Sequence, residues 1–190
     1  MPSNIKLIVE GKADNKFLLD LSASLGTTLT KDNFVVTGGY CSNWVELNSS
    51  NIKKAQAENF NPVLILDANG NYGNRKADID SQLLKAGLGG TPYFILPNNG
   101  ANGNLENLLI HCTNPIHSSI MNCFDNYYNC LIGYNQPDLK SKIYSYADAL
   151  IPFADKKKAK EENRDYNDAN IWNLTTPELD PLKIFLQTHL

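Results

Sequence analysis

Val63-Leu64-Ile65-Leu66 is a continuous apolar run that starts behind Pro62 and is broken abruptly by Asp67. An uninterrupted apolar run of this length reads as a strand buried on both faces, the signature of a parallel sheet. Ligands of open α/β sheets gather outside the carboxyl ends of the strands. That is where Asp67 falls, followed by the turn formers Asn69-Gly70-Asn71. Two more runs end the same way. Ile5 to Val9 ends on Glu10-Gly11, and Tyr93 to Leu96 ends on Pro97-Asn98-Asn99-Gly100, with Glu106 soon after. The three ends are expected to meet at one acidic, cation-binding site.

Helical patterns alternate with these runs. Asn15 to Leu25 carries an apolar stripe of Phe17, Leu18, Leu21 and Leu25, with Asp14 placed to cap it and Gly26 to end it. Phe34-Val35-Val36 forms a short strand before Gly38-Gly39, and a weakly patterned helix follows between Asn43 and Glu58. A third helix spans roughly Arg75 to Ala86, with Ile79, Leu83 and Leu84 inward and Gly87 behind it. Such alternation predicts an α/β fold with a mainly parallel sheet of about four strands and helices on both faces.

After Gly103 the rhythm becomes helical. Asn104 is placed to cap a helix beginning at Leu105, and Pro115 opens a longer one with the stripe Ile116, Ile120, Cys123, Phe124, Tyr127 and Leu131. A further helix covers Leu139 to Leu150. The charged segment Asp155 to Asp168 reads as a mobile loop, and Pro181 starts a terminal helix. Residues 1–112 are therefore expected to form an α/β core and residues 113–190 a helical extension packed on it.

A net charge of -3 and an isoelectric point of about 5.6 exclude a dominant basic surface for indiscriminate nucleic-acid binding, though not a local basic groove. The sequence has no apolar run long enough for a membrane span and no signal-peptide order at its start, so a cytoplasmic protein without a membrane partner is expected. Cys41, Cys112, Cys123 and Cys130 have no C-x-x-C spacing and are expected to be reduced, buried thiols. His111 and His117 near Cys112 lack a further clustered ligand and read as packing or surface residues. Lys156 to Lys160 is followed at once by Glu161, Glu162 and Asp165, which makes it a solvated charged loop. Tyr127 and Tyr128 share helical spacing with Phe124 and Leu131 and are expected to pack.

Glu10 and Asp14 flank a strand-to-helix turn that Gly11 allows to bend. Clustered carboxylates repel one another unless protons or a cation neutralise them, and hard oxygen ligands suit Mg²⁺ or Mn²⁺. Asp14 is equally readable as a helix cap alone.

The run Leu7-Ile8-Val9-Glu10-Gly11-Lys12-Ala13-Asp14 resembles the first motif of Toprim domains, and Leu64-Ile65-Leu66-Asp67-Ala68-Asn69 resembles their D-x-D motif. Phe94-Ile95-Leu96-Pro97 and Gly103-Asn104-Leu105-Glu106-Asn107-Leu108-Leu109 resemble a pattern of Toprim-like proteins near the OLD nucleases, most closely the DUF3226 group. The resemblance implies a Toprim-like fold that binds Mg²⁺ or Mn²⁺ and processes phosphodiesters of nucleic acid, with a protein partner such as an ATPase as a further expectation. It implies metal ligation by Glu10, Asp14, Asp67, Asn69 and Glu106, and catalytic roles for Glu10, Asp67 and a lysine, either Lys140 or Lys142. Asn69 departs from the pattern, which has a second aspartate there. An amide oxygen brings no charge, so one metal of a two-metal arrangement is in doubt. The two functions that compete are a metal-dependent nuclease and a non-catalytic module that binds nucleic acid or a protein.

Overall fold

The computed structural model describes residues 4–39, 41 and 43–190. Four strands, β1 (Ile5–Val9), β2 (Phe34–Val36), β3 (Asn61–Asp67) and β4 (Tyr93–Leu96), form one sheet in the order β2-β1-β3-β4. Every pairing is parallel, with Val9 opposite both Val36 and Ile65, and Asp67 opposite Leu96. The apolar runs read from the sequence are these strands, because most side chains in them are buried on one face or the other.

Alternation along the strands sorts the core into two layers. Ile5, Leu7, Val9, Val63, Ile65, Phe94 and Leu96 pack against α1 (Lys12–Ser24), α4 (Leu105–His111), α6 (Leu139–Leu150) and α7 (Asp180–His189). Ile8, Leu64, Leu66 and Ile95 face α2 (Trp44–Ala57) and α3 (Tyr72–Lys85). Helices thus cover both faces, and residues from 113–190 share one hydrophobic cluster with the sheet. Among the described residues no helix is long and apolar enough to cross a membrane.

Several local expectations are corrected. Helix α1 starts at Lys12 rather than Asn15. Gly11 is the cap residue, and Asp14 lies inside the first turn with Oδ2 accepting the Gly11 N–H at 2.7 Å. Helix α2 runs unbroken through the polar stretch Asn48–Asn51, because Trp44, Val45, Ile52 and Ala55 bury its other face. Helix α3 begins at Tyr72, and Leu84 is 75% exposed while Ile79 and Leu83 turn inward. Pro115–His117 is a 3-10 turn leading to α5 (Ser118–Cys130), which touches the core along a narrow line, with Met121 its only buried residue. Ile116, Cys123, Tyr127 and Tyr128, expected to pack, are therefore exposed. Cys112 is buried, whereas Cys41, Cys123 and Cys130 are exposed free thiols.

Residues 155–168 are not a detached loop. Two 3-10 turns, Phe153–Ala159 and Glu161–Asn163, form a strap, and Ala159, Arg164 and Tyr166 of this stretch are buried. Tyr166 stacks edge-on against Phe17 of α1 at 5.2 Å between ring centroids and lies 5.0 Å from Trp172. Buried Asp20 of α1 accepts the Tyr166 N–H at 2.8 Å and pairs with Lys16 at 2.6 Å. Most charges of the strap face water, Arg164 is buried and donates to Ala159 O, and Tyr166 docks on α1.

Replacing Asp20 by Ala strands the buried Tyr166 N–H without its acceptor, which costs about 1–3 kcal/mol. The expected outcome is a lowered thermal midpoint and faster amide exchange confined at first to residues 153–168, measured by hydrogen-exchange mass spectrometry. Unchanged exchange there would separate the strap from α1.

Candidate cation-binding cleft

From β1 the chain moves by way of α1 to β2, then crosses back by way of α2 to β3 on the opposite side of β1. The crevice between the carboxyl ends of β1 and β3 is thus the topological switch point of the sheet. Glu10 follows β1 directly and Asp67 is the last residue of β3. A cavity of about 210 Å³ opens there, lined by Glu10, Gly11, Lys12, Ala13, Asp14, Gly39, Asp67, Leu105, Glu106, Lys140 and Glu161. A larger hollow of about 750 Å³ lies at the other edge of the sheet, but no Asp, Glu, Lys or Arg lines it. Charge, not size, marks the switch-point cavity.

Three of these acids, Glu10, Asp67 and Asp14, accept a hydrogen bond from the main chain. Glu10 Oε1 accepts the Asp67 N–H at 2.9 Å and lies 2.7 Å from Nη2 of Arg75, in the first turn of α3. Both side chains of this ion pair are almost wholly buried. Asp67 Oδ1 accepts the Leu105 N–H at 3.1 Å, at the start of α4. Asp14 Oδ2 takes the Gly11 N–H. A side chain at Gly11 would place its Cβ 3.2 Å from that oxygen, so glycine lets the carboxylate close on the backbone. From α6, Lys140 reaches in and pairs with Glu161 of the strap at 2.7 Å.

Burial and mutual repulsion leave two of these acids poorly disposed to ionise. Asp67 is pushed up to about 8, first by loss of water and then by the charges of Asp14, Glu10 and Glu106, against the opposing Leu105 N–H. Asp14 is pushed up to about 7 by burial and by Glu10, Glu106 and Glu161, against the Gly11 N–H. Lys140 is raised by its hydrogen bond to Glu161.

The structure brings together Glu10, Asp14, Asp67, Glu106 and Lys140 of the residues named from the sequence. It does not bring Asn69 or Lys142. Asn69 is exposed, with a left-handed φ of 52°, and its main chain bridges to Gly103. Lys142 does not line the cavity and pairs instead with Asp125 of α5. Arg75 and Glu161 were not singled out from the sequence. A cation in the first turn of a helix runs against the helix dipole, and that mismatch was the available signal for Arg75. Glu161 sat inside a run of mixed charge and carried none.

Among the described residues no three His, Cys, Asp or Glu side chains already converge as a closed metal cage. The donor set nevertheless fits Mg²⁺ or Mn²⁺, which use one or two carboxylates and complete their shell with water and substrate. Asp14 Oδ1 and Asp67 Oδ2 make no hydrogen bond among the described residues, so each acid keeps an oxygen for a hard cation. Glu106 completes the acidic wall.

The raised acids define a pH dependence. Their folded values of about 7 and about 8 stand above the ordinary aspartate value of 3.8. Their contribution to stability is therefore full below pH 3.8 and lost as pH rises through about 7 to 8. The metal-free protein should melt at a lower temperature at about pH 9 than at about pH 5.5, and Asp67→Asn should flatten that slope. Added Mn²⁺ should restore the midpoint at alkaline pH in the wild type and not in the variant, read by calorimetry.

Searches among curated proteins and among solved structures gave no match to this chain. A family model described as a protein of unknown function, DUF3226, matches residues 4–190, nearly the whole chain and every element that builds the cleft. The chain belongs to the DUF3226 family.

Proposed function

We propose that the cleft binds Mg²⁺ or Mn²⁺ and hydrolyses phosphodiester bonds of nucleic acid. The observation that carries this is the meeting of Glu10, Asp14, Asp67 and Glu106 with Lys140 in one cavity at the switch point. The likeness of the three motifs to Toprim and OLD-type nucleases supports the same assignment. When bound, the cation polarises the scissile phosphate and lowers the pKa of an attacking water. Asp67 and Asp14 would hold the cation with the oxygens their backbone bonds leave open, with Glu106 beside them in the cavity wall. Glu10 fixes the Asp67 backbone and so the aim of that carboxylate. Lys140, paired with Glu161, lines the same cavity and would meet charge that develops on the phosphate. Lys142 has no part in this chemistry. The exposed thiols of Cys41, Cys123 and Cys130 suit a reducing, cytoplasmic setting.

A non-catalytic module that binds nucleic acid, or a protein such as an ATPase, is the alternative. Two observations favour it: Glu10 is already paired with Arg75, and Asn69 is exposed and does not line the cleft. Cleavage of plasmid and single-stranded substrates with Mg²⁺ or Mn²⁺ decides between them. The nuclease requires a loss of at least about 100-fold in Asp67→Asn and in Glu10→Gln, and about 10-fold or more in Lys140→Ala. Oligonucleotide binding without metal, and no cleavage by the wild type, would establish the module.

A further inference from the structure

Arg75 is the cation that answers Glu10 at the switch point. Its guanidinium lies 2.7 Å from Glu10 Oε1, and the two side chains are 7% and 10% exposed. The same oxygen accepts the Asp67 N–H, which fixes the pair at the junction of β1 and β3. Arg75 occupies the first turn of α3, where the helix dipole disfavours a cation. Helix stability does not account for it there; an acid that would otherwise be buried without a counter-charge does.

From these contacts we infer that Arg75 is a built-in counter-ion that takes the place of one metal, so that the cleft accepts a single divalent cation between Asp14, Asp67 and Glu106. The inference rests on the cation-binding assignment made above. Charge balance supports it. The cavity gathers five carboxylates, Glu10, Asp14, Asp67, Glu106 and Glu161, against Lys12, Lys140 and the Arg75 that grips Glu10. Carboxylates outnumber cations there, and Glu10 is the one that Arg75 already answers. Asn69 adds no acid to that balance. Its side chain is exposed and its main chain is occupied by the bridge to Gly103, so no donor approaches the Glu10 side of the cleft from that position.

Arg75 is a positioning and charge-balancing residue in this scheme and touches no substrate. The test is Mn²⁺ stoichiometry on the full chain, measured by calorimetry and by the loss of free Mn²⁺ signal in electron paramagnetic resonance. One ion per wild-type chain is expected. Arg75→Gln should bind a second ion, or bind the first about tenfold more tightly, because removing a fixed positive charge beside the cleft strengthens attraction for a divalent ion. Arg75→Lys, which keeps the charge, should stay at one ion with near wild-type affinity. Circular dichroism checks that each variant is folded. Two ions in the wild type overturn the inference and leave the cation site standing, and this arm is decisive even if Arg75→Gln does not fold. A folded Arg75→Gln with one ion and unchanged affinity also overturns it. No Mn²⁺ binding by the wild type overturns the cation site itself, and the inference with it.

Discussion

The buried pair of Glu10 and Arg75 is the contact on which the site depends. The β1–β3 ladder pairs Val9 with Ile65, and beyond that point the two strands diverge around the crevice. There the Glu10 side chain takes over from the main chain, accepting the Asp67 N–H and gripping the first turn of α3. One carboxylate thus joins the ends of two strands to the start of a helix. Removing one partner of such a pair costs ~3–5 kcal/mol, because the other charge stays buried without compensation. An apolar pair of equal volume could stabilise the fold as well, yet it could not present oxygen ligands at the strand ends. The chemistry of the pair, rather than its strength, is what the cleft uses.

Around that pair the protein gathers charge against its own electrostatics. Asp14 and Asp67 are raised because water is excluded and other acids stand close. The main chain offsets this only in part, with one N–H to each. Glu161 and Lys140 come from the strap and from α6, elements outside the α/β core, and their ion pair forms part of the cavity wall. The helical second half is therefore part of the site. Its docking through Tyr166 on Phe17, and through Asp20 on the strap backbone, sets how the cavity is walled.

The strands were legible because burial on both faces leaves an unbroken apolar run, and three of the four begin and end where the sequence places them. β3 extends two residues earlier, through Asn61 and Pro62, which pair with Ile5 and Lys6 of β1. Apolar spacing was misleading in α5, whose stripe marks amphipathic character but cannot say whether anything packs against it. Charge density misled in the opposite direction at 155–168. Buried Ala159 and Tyr166 alternate there with exposed acids and lysines, and no helix or strand period reveals them. Of the site, the acids at strand ends were legible from position alone. The partners of those acids were not, since Arg75 and Glu161 reach the cleft through tertiary placement.

Asn69 shows how a departure from a motif can be structural. Its φ of 52° lies in the left-handed region, which asparagine tolerates better than most residues. In that conformation its N–H donates to Gly103 O at 2.6 Å and its carbonyl accepts the Gly103 N–H at 2.8 Å. Gly103 itself has a φ of 133°, and a Cβ there would come within 2.6 Å of Asn107 Oδ1. The bridge thus ties the turn after β3 to the residues that start α4, and Leu105, two positions on, delivers its N–H to Asp67 Oδ1. The same tie sets the start of the helix that carries Glu106. Asn69 therefore shapes the acidic wall through its backbone while its side chain stays in solvent. A charge lost from the motif at this position is not a charge lost from the cleft, because the geometry keeps that side chain outside it.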